Sequence, residues 1–309
     1  MWHGSWVLRE LTLGQTADAD MGILLNLLKK VVAPALPYPP TEYERSFFDQ
    51  FNNVLRIYFN QISSALATLF GDQGGKYLSF PYGAFQDITT QTAPANVAQV
   101  MRLGIVDFAN GVTLGSQTAT FTASIALTNM TVTVATAGSI YLGMTLTGTG
   151  VSAGTRVVSQ TSGTAGGTGV YVVSISQTTA STVMTGSVQS KIIVSTAGIY
   201  NLQWSGQFVN TAAAIHDITV WLRQDAAGAA VDIPGSAGLV SLAAKHGAFN
   251  GGAIVGWNYF VQLQADEYVE LWWTTPDPAA YIIAYPAAVS PTRPSTASII
   301  ATLTFVSAI

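Results

Sequence analysis

The 309-residue chain contains no cysteine, so neither disulfides nor thiolate metal sites can stabilise it. Stability must come from packing and from association between chains. Charge is also scarce. Asp, Glu, Lys and Arg make up 9% of the residues, against about 25% in an average soluble protein. Between positions 108 and 190 the only charged side chain is Arg156. A surface of Thr, Ser, Gln and Asn stays hydrated without long ions, which suits β-structure packed side by side in an assembly. The net charge of −4, with 12 Lys and Arg, argues against nucleic-acid binding, which needs a basic face.

Long apolar runs are missing too. None approaches the roughly 18 to 20 consecutive residues of a membrane helix. The best stretch, 21–28, is broken by Asn26 and followed by Lys29 and Lys30, so no membrane insertion is expected. The opening residues Met1, Trp2, His3, Gly4 and Ser5 have neither the basic nor the apolar region of a secretory signal. Synthesis in the cytoplasm without a signal peptide is the expectation. His3, His216 and His246 are the only histidines. None stands at ligand spacing with another His, Asp or Glu, so no metal and no cofactor is expected.

Five segments can be distinguished. Residues 1–40 read as an N-terminal arm: a short helix over 17–32 with Met21, Leu24, Leu25 and Leu28 on one face, then a polyproline-like run at Pro34, Pro37, Pro39 and Pro40. Residues 41–76 read as a helical stalk. Thr41 with Glu42 and Glu44 is a start signal. From there to position 70, Phe48, Phe51, Leu55, Tyr58, Ile62, Ala65 and Leu69 step by three and four, a heptad seam over about three repeats. Such a helix spans roughly 40 Å at about 1.5 Å per residue. It can lie on its own domain or self-associate. Phe47, Val54, Ile57, Phe59 and Leu66 widen the apolar surface in favour of self-association. Gly71, Gly74 and Gly75 are expected to end it.

Residues 77–120 form a connecting segment with the first strands, 100–108 being the best candidate, and Asn110-Gly111 is a turn signal. Residues 121–187 are a Gly/Thr/Ser-rich insert. Its strand-like runs TVTVA (131–135), MTLT (144–147), RVVS (156–159) and VYVVSI (170–175) are separated by glycine turns, the pattern of a small β module. The glycine-rich loop 163–169 lacks the lysine and following helix of a phosphate loop. Residues 188–309 alternate with period two. Tyr200, Leu202, Trp204, Gly206 and Phe208 form one set, Ile218, Val220 and Leu222 another. Tyr259, Val261 and Leu263, then Val269, Leu271 and Trp273, and finally Ile299, Ala301, Leu303 and Phe305 complete the series. Five such runs indicate an antiparallel two-sheet sandwich. The predicted class is mainly β, with an N-terminal helical arm and stalk.

Several segments carry a resemblance. AGIYNLQWS (197–205), ITVWLR (218–223), WNYF (257–260), ADEYVEL (265–271), RPSTASII (293–300), PYGAFQD (81–87) and the helix FFDQFNNVLRIYF (47–59) resemble, in their order along the chain, a family of tailed-bacteriophage virion proteins. These are head-fibre or tail-fibre-like proteins whose C-terminal domain is similar to trimeric jelly rolls of the complement C1q and tumour necrosis factor type. The resemblance covers about 38–115 and 188–309. It implies a jelly-roll-like C-terminal domain, a homotrimer, attachment to the capsid or a tail adaptor, and a place on the virion surface after synthesis in the host cytoplasm. The insert at 121–186 and residues 1–37 depart from the usual form.

Candidate chemistry is sparse. His216-Asp217 opens a strand and reads as a turn or edge residue. No nucleophile elbow supports a Ser-His-Asp triad, and no catalytic residues are expected. Asp266, Glu267 and Glu270 cluster near a turn, a grouping open to a glycosidase pair or Ca²⁺ ligands. Alternation with Tyr268 and Trp272 instead predicts Glu270 as an exposed strand residue. Trp204, Trp221, Trp257 and Trp273 are candidates for core, subunit contact or a host-glycan site, because indoles dominate interfaces and stack on sugars. The expected function is a non-enzymatic, homotrimeric fibre or decoration protein. The alternative is an adhesin whose C-terminal tip binds a host-surface glycan or protein. Oligomerisation is expected through Phe48, Phe51, Leu55, Tyr58, Ile62 and Leu69.

Overall fold

The computed structural model describes residues 34–70 and 80–309. The helix expected over 17–32, most of the arm and the glycines at 71, 74 and 75 lie outside the described residues, as does the side chain of Leu69. The chain divides at Ser79 and Phe80 into two units.

In the first unit an extended run over 34–40 leads into one helix, α1 (Arg45–Phe70). It begins later than the Thr41 signal suggested. The chain bends at Thr41 and Glu42 after the two prolines, and the first helical bond runs from the Phe48 N–H to the Glu44 carbonyl at 3.4 Å. Glu44 is therefore the residue at the cap position. Phe47, Phe51, Val54, Leu55, Tyr58, Ile62 and Ala65 are half-buried, whereas Phe48, Ile57, Phe59 and Leu66 are exposed. No described side chain of α1 is buried.

The second unit is built from two antiparallel sheets, its strands numbered in chain order. The first runs β12 (Gly251–Leu263), β8 (Gly198–Asn210), β17 (Ile299–Ser307), β1 (Tyr82–Asp87) and β3 (Ile105–Asn110), with β14 (Ala280–Ile282) also on β8. The second runs β10 (Ala229–Asp232), β9 (His216–Ala226), β13 (Tyr268–Thr274), β7 (Gly169–Val194) and β4 (Val112–Ala137). Attached to it are β11 (Gly238–Leu242) on β9, β2 (Gln99–Val100) on β13, and β5 (Thr145–Gly148) and β6 (Val157–Gly163) on β7. A small hairpin pairs β15 (Ala288–Val289) with β16 (Thr292–Arg293). The expected strand at 100–108 is split in two. Residues 101–104 leave the ladder because Met101 N–H bonds the Leu271 carbonyl and Leu103 N–H bonds the Gln189 carbonyl.

Alternation decides which faces are buried. On β8, Tyr200, Leu202, Trp204 and Phe208 point inward while Asn201, Gln203, Ser205 and Gln207 point out. They meet Ile218, Val220 and Leu222 of β9 and Val269, Leu271 and Trp273 of β13 in one core shared by both sheets. The Phe208 and Trp273 rings cross between the sheets at 6.4 Å. Burying each of these large side chains is worth about 1.5–3 kcal/mol.

The insert grows directly out of the second sheet. β4 and β7 are 26 residues each, and their ladder extends from Val112↔Val194 to Val132↔Gly169 through three register shifts. No strand break falls near 121 or 187. The distal halves, with β5 and β6, enclose a second core of Phe121, Ile125, Met130, Met144, Leu146, Tyr171 and Met184. Val100 and Trp272 from the second sheet belong to that core as well.

Candidate functional site

Neighbouring residues on β13 point to opposite faces. Trp273 enters the core between the sheets, and Trp272 enters the core of the insert. Every residue from Val269 to Trp273 is consequently buried. This overturns the expected exposure of Glu270, which is inaccessible to solvent. Period two predicted which face Glu270 occupies; it could not predict that the insert covers that face.

The Glu270 carboxylate is held by fixed donors. Gln117 Nε2–H donates at 3.0 Å to Oε1 and 2.8 Å to Oε2, Ser190 Oγ–H at 2.7 Å to Oε1, and Trp272 Nε1–H at 3.2 Å to Oε2. A buried carboxylate without such bonds is expensive, and these neutralise much of that cost. The donors come from β4, β7 and β13, so the carboxylate ties three strands together.

Beside it, the register sets Glu270 opposite Arg223 and Arg223 opposite Asp232, with Trp272 opposite Trp221. Arg223 Nε–H bonds Asp232 Oδ1 at 2.8 Å, and Trp221 Nε1–H donates to the same oxygen at 2.9 Å. The bond from Arg223 holds the Asp232 carboxyl below its usual value, and the bond to Asp232 raises Arg223. The Arg223 guanidinium also lies 4.1 Å from the centre of the Trp272 ring, a cation–π contact. Tyr141, from the loop before β5, packs edge-on against Trp272 at 5.3 Å. Burial raises its phenol pKa. A cleft of about 270 Å³ opens here, lined by Gln99, Ser139, Tyr141, Arg223 and Trp272 among others.

No protein-family model matches the chain, and no curated protein does. The residues themselves therefore carry the functional reading.

The four tryptophan candidates separate clearly. Trp204 and Trp273 are core residues whose indole N–H groups have no partner, so neither can present a face to a sugar. Trp257 is half-buried, stacks edge-on with Trp204 at 5.2 Å, and reaches Gly238 of β11. A Cβ at Gly238 would sit 2.0 Å from the Trp257 ring, which explains the glycine. Trp221 alone is both half-buried and beside the cleft, with its ring 6.2 Å from Trp272.

The other candidates do not converge. Glu267 accepts the Gln264 N–H in its own turn and the Ala227 N–H from the turn after β9, and Asp266 supplies the left-handed residue beside it at φ 67°. Neither hydrogen-bonds with Glu270. His216 Nε2 lies 3.2 Å from Asp277 Oδ2, and no described hydroxyl hydrogen-bonds to the imidazole. Among the described residues no group of three His, Cys, Asp or Glu could hold a metal. No described helix is long and apolar enough to cross a membrane. The oligomerisation candidates Phe48, Phe51, Leu55, Tyr58 and Ile62 all lie on α1 with solvent access. Sequence reasoning did not single out Tyr141, Arg223 or Gln117. Arg223 carried a signal, being a charge two residues from Trp221 on the outward face of a strand.

Proposed function

We propose that this chain is a non-enzymatic structural protein of a tailed-phage particle, a homotrimeric fibre or decoration protein attached through its N-terminal arm to the capsid or a tail adaptor. The observation that carries the trimer is α1: a 26-residue helix with a heptad seam, on which no described side chain is buried. An isolated helix gains most of its stability from packing its apolar face, and a sustained heptad pattern finds that packing in copies of itself.

The β-unit supports the same reading. β8, β12 and β17 carry no charged residue along their length, and Ile254, Phe260, Ile300 and Phe108 stand exposed on the first sheet. β12 is a 13-residue edge strand with β8 as its only ladder partner among the described residues. It has none of the lysine or proline that commonly protects an edge. The chain passes from β7 to β8 to β9 and from β11 to β12 to β13, changing sheets each time, while β1 pairs with the final strand β17. That interleaving favours the jelly-roll topology implied by the sequence resemblance, on which the virion assignment rests.

Light scattering tests the trimer. The full chain should have three times the 32.5 kDa chain mass, beside a version lacking residues 1–70. A trimer that survives truncation assigns assembly to the sheets. A trimer lost on truncation assigns it to α1. A monomer in both experiments overturns the fibre reading.

A second reading is favoured by the cleft beside Trp221: an adhesin that binds a host-surface glycan there. Binding of the trimer to host envelopes that disappears in Trp221→Ala, with unchanged mass, would establish it.

A further inference from the structure

The lone charge of the long uncharged stretch, Arg156, opens onto a second cleft beside β7, to which β4 contributes Ser116 and β5 contributes Thr145. This cleft has a volume of about 330 Å³ and is lined by Asp87, Arg102, Ser116, Thr145, Arg156, Ser187 and Gln189, together with Gly104, Gly143 and Val188. Most of its lining is hydroxyl, amide or guanidinium. The volume lies at the lower end of the roughly 300–1,000 Å³ range of small-ligand sites.

Arg102 forms its floor. The short crossing at 101–104 is pinned on both sides, by Leu271 and Gln189, and its side chain is only 12% exposed. Nη2 donates to Thr89 Oγ1 and to the Thr90 carbonyl, both at 2.9 Å. Nε has no hydrogen-bond partner, with the Asp87 carboxylate 4.0 Å away. Asp87 Oδ1 is itself occupied by the Thr89 N–H and hydroxyl. Gly143 gives the guanidinium its room: a Cβ there would stand 2.0 Å from Nη1.

Arg156 enters from the rim. Its backbone bridges Thr145, and its exposed side chain makes no hydrogen bond or ion pair with the described residues. Burial lowers the pKa of Arg102, Asp87 opposes that shift, and Arg156 adds to it by repulsion. Two guanidiniums thus line one cleft with a single carboxylate, leaving one positive charge without a counter-ion in the fold.

We propose that this cleft binds a small polyhydroxylated anion, with a sugar acid as the type. Its carboxylate lies against Arg102 and Arg156, and its hydroxyls meet Ser116, Thr145, Ser187 and Gln189. Guanidinium groups favour carboxylates because their planar donor forks match the two oxygens. The hydroxyl and amide lining distinguishes a sugar acid from a bare ion. The inference is independent of the virion assignment and of the cleft beside Trp221.

Calorimetric titration of the full chain at low salt tests it, with D-glucuronate, D-glucose and inorganic sulfate as probes. Glucuronate should bind, glucose should not, and added salt should weaken binding at this exposed charge. Arg156→Gln should weaken glucuronate by about tenfold or more, as loss of one charge-assisted contact predicts. Its thermal melting should match the parent, because the substitution keeps the backbone bonds to Thr145 and Ser174 and removes a side chain with no hydrogen bond or ion pair among the described residues. Ser116→Ala with Ser187→Ala should weaken glucuronate while leaving sulfate unchanged. Absence of glucuronate binding, or an affinity indifferent to Arg156→Gln, overturns the site. Sulfate binding as tightly as glucuronate overturns the part assigned to the hydroxyls.

Discussion

At the scale of single residues, Glu270 shows how one side chain couples strands that are distant in sequence. Gln117 and Ser190 stand 153 and 80 residues away from it, and both donate to its carboxylate. Removing the carboxylate leaves the Ser190 and Trp272 donors buried without an acceptor and takes the partner of the half-buried Gln117 amide. Each orphaned group costs about 1–3 kcal/mol, so Glu270→Ala should lose roughly 3–5 kcal/mol in urea unfolding, near the cost of breaking a buried charge pair. Glu270→Gln keeps the shape and one acceptor oxygen, and should lose less than half as much. Equal losses in the two variants would show that packing, not the carboxylate, matters there. Tyr171 gives a prediction at alkaline pH. Its ring is in the second core, its hydroxyl donates to the Gly167 carbonyl at 2.7 Å, and burial raises its pKa from 10.0 to about 12. The neutral phenol is favoured in the fold, so its contribution is complete below pH 10 and disappears as pH rises through the folded value. Phenolate absorbance should therefore show a late-ionising tyrosine that is missing in Tyr171→Phe.

At the scale of elements, the helix and the strands were legible to different degrees. β8, β9, β13 and β17 were readable because one face of each meets the shared core, and that imposes period two on Tyr200, Leu202 and Trp204 or on Val269, Leu271 and Trp273. The second face of β13 was not readable. Its burial depends on Tyr141 arriving from the insert and Gln117 from β4, long-range events that leave no local pattern. The same limit hid the length of β4 and β7: the runs at 131–135 and 170–175 are parts of these two elements, which continue into the sandwich, while the runs at 144–147 and 156–159 are the short β5 and β6. Likewise, the cleft beside Trp221 needs β9, β13 and the loop at Tyr141 together, whereas composition marked only the isolated Arg156 of the other cleft. The heptad pattern of α1 was fully local, and its test is local as well. Leu55→Glu combined with Ile62→Glu places charges on the seam without touching the sheets. If α1 packs against copies of itself, far-UV circular dichroism should lose helical signal while the strand contribution stays. Retained helicity in this variant would mean that the seam does not stabilise the helix.

At the scale of the whole second unit, two cores are joined by one continuous hairpin. That arrangement differs from a bead tied on by flexible linkers, because the covered face of the second sheet contributes Val100 and Trp272 to the core of the insert. Removing the insert should therefore leave a folded but incomplete molecule. The register permits a clean cut: Thr120 pairs with Thr185, so residues 121–184 can be replaced by an Asn-Gly turn that suits a two-residue hairpin. Val112, Ile192 and Val194 remain in the first core, and the shortened chain should keep its cooperative unfolding. It loses Tyr141 from above Trp272, however, together with Phe121, Met144 and Met184 from the same cluster. The exposed apolar face should then bind a hydrophobic dye and shift tryptophan emission to the red. Its midpoint should fall, because Glu270 keeps Gln117 and Ser190 but gains water at a site that was dry. A shortened chain that unfolds without cooperativity would show instead that the insert is part of the folding unit, and that the first core cannot stand without it.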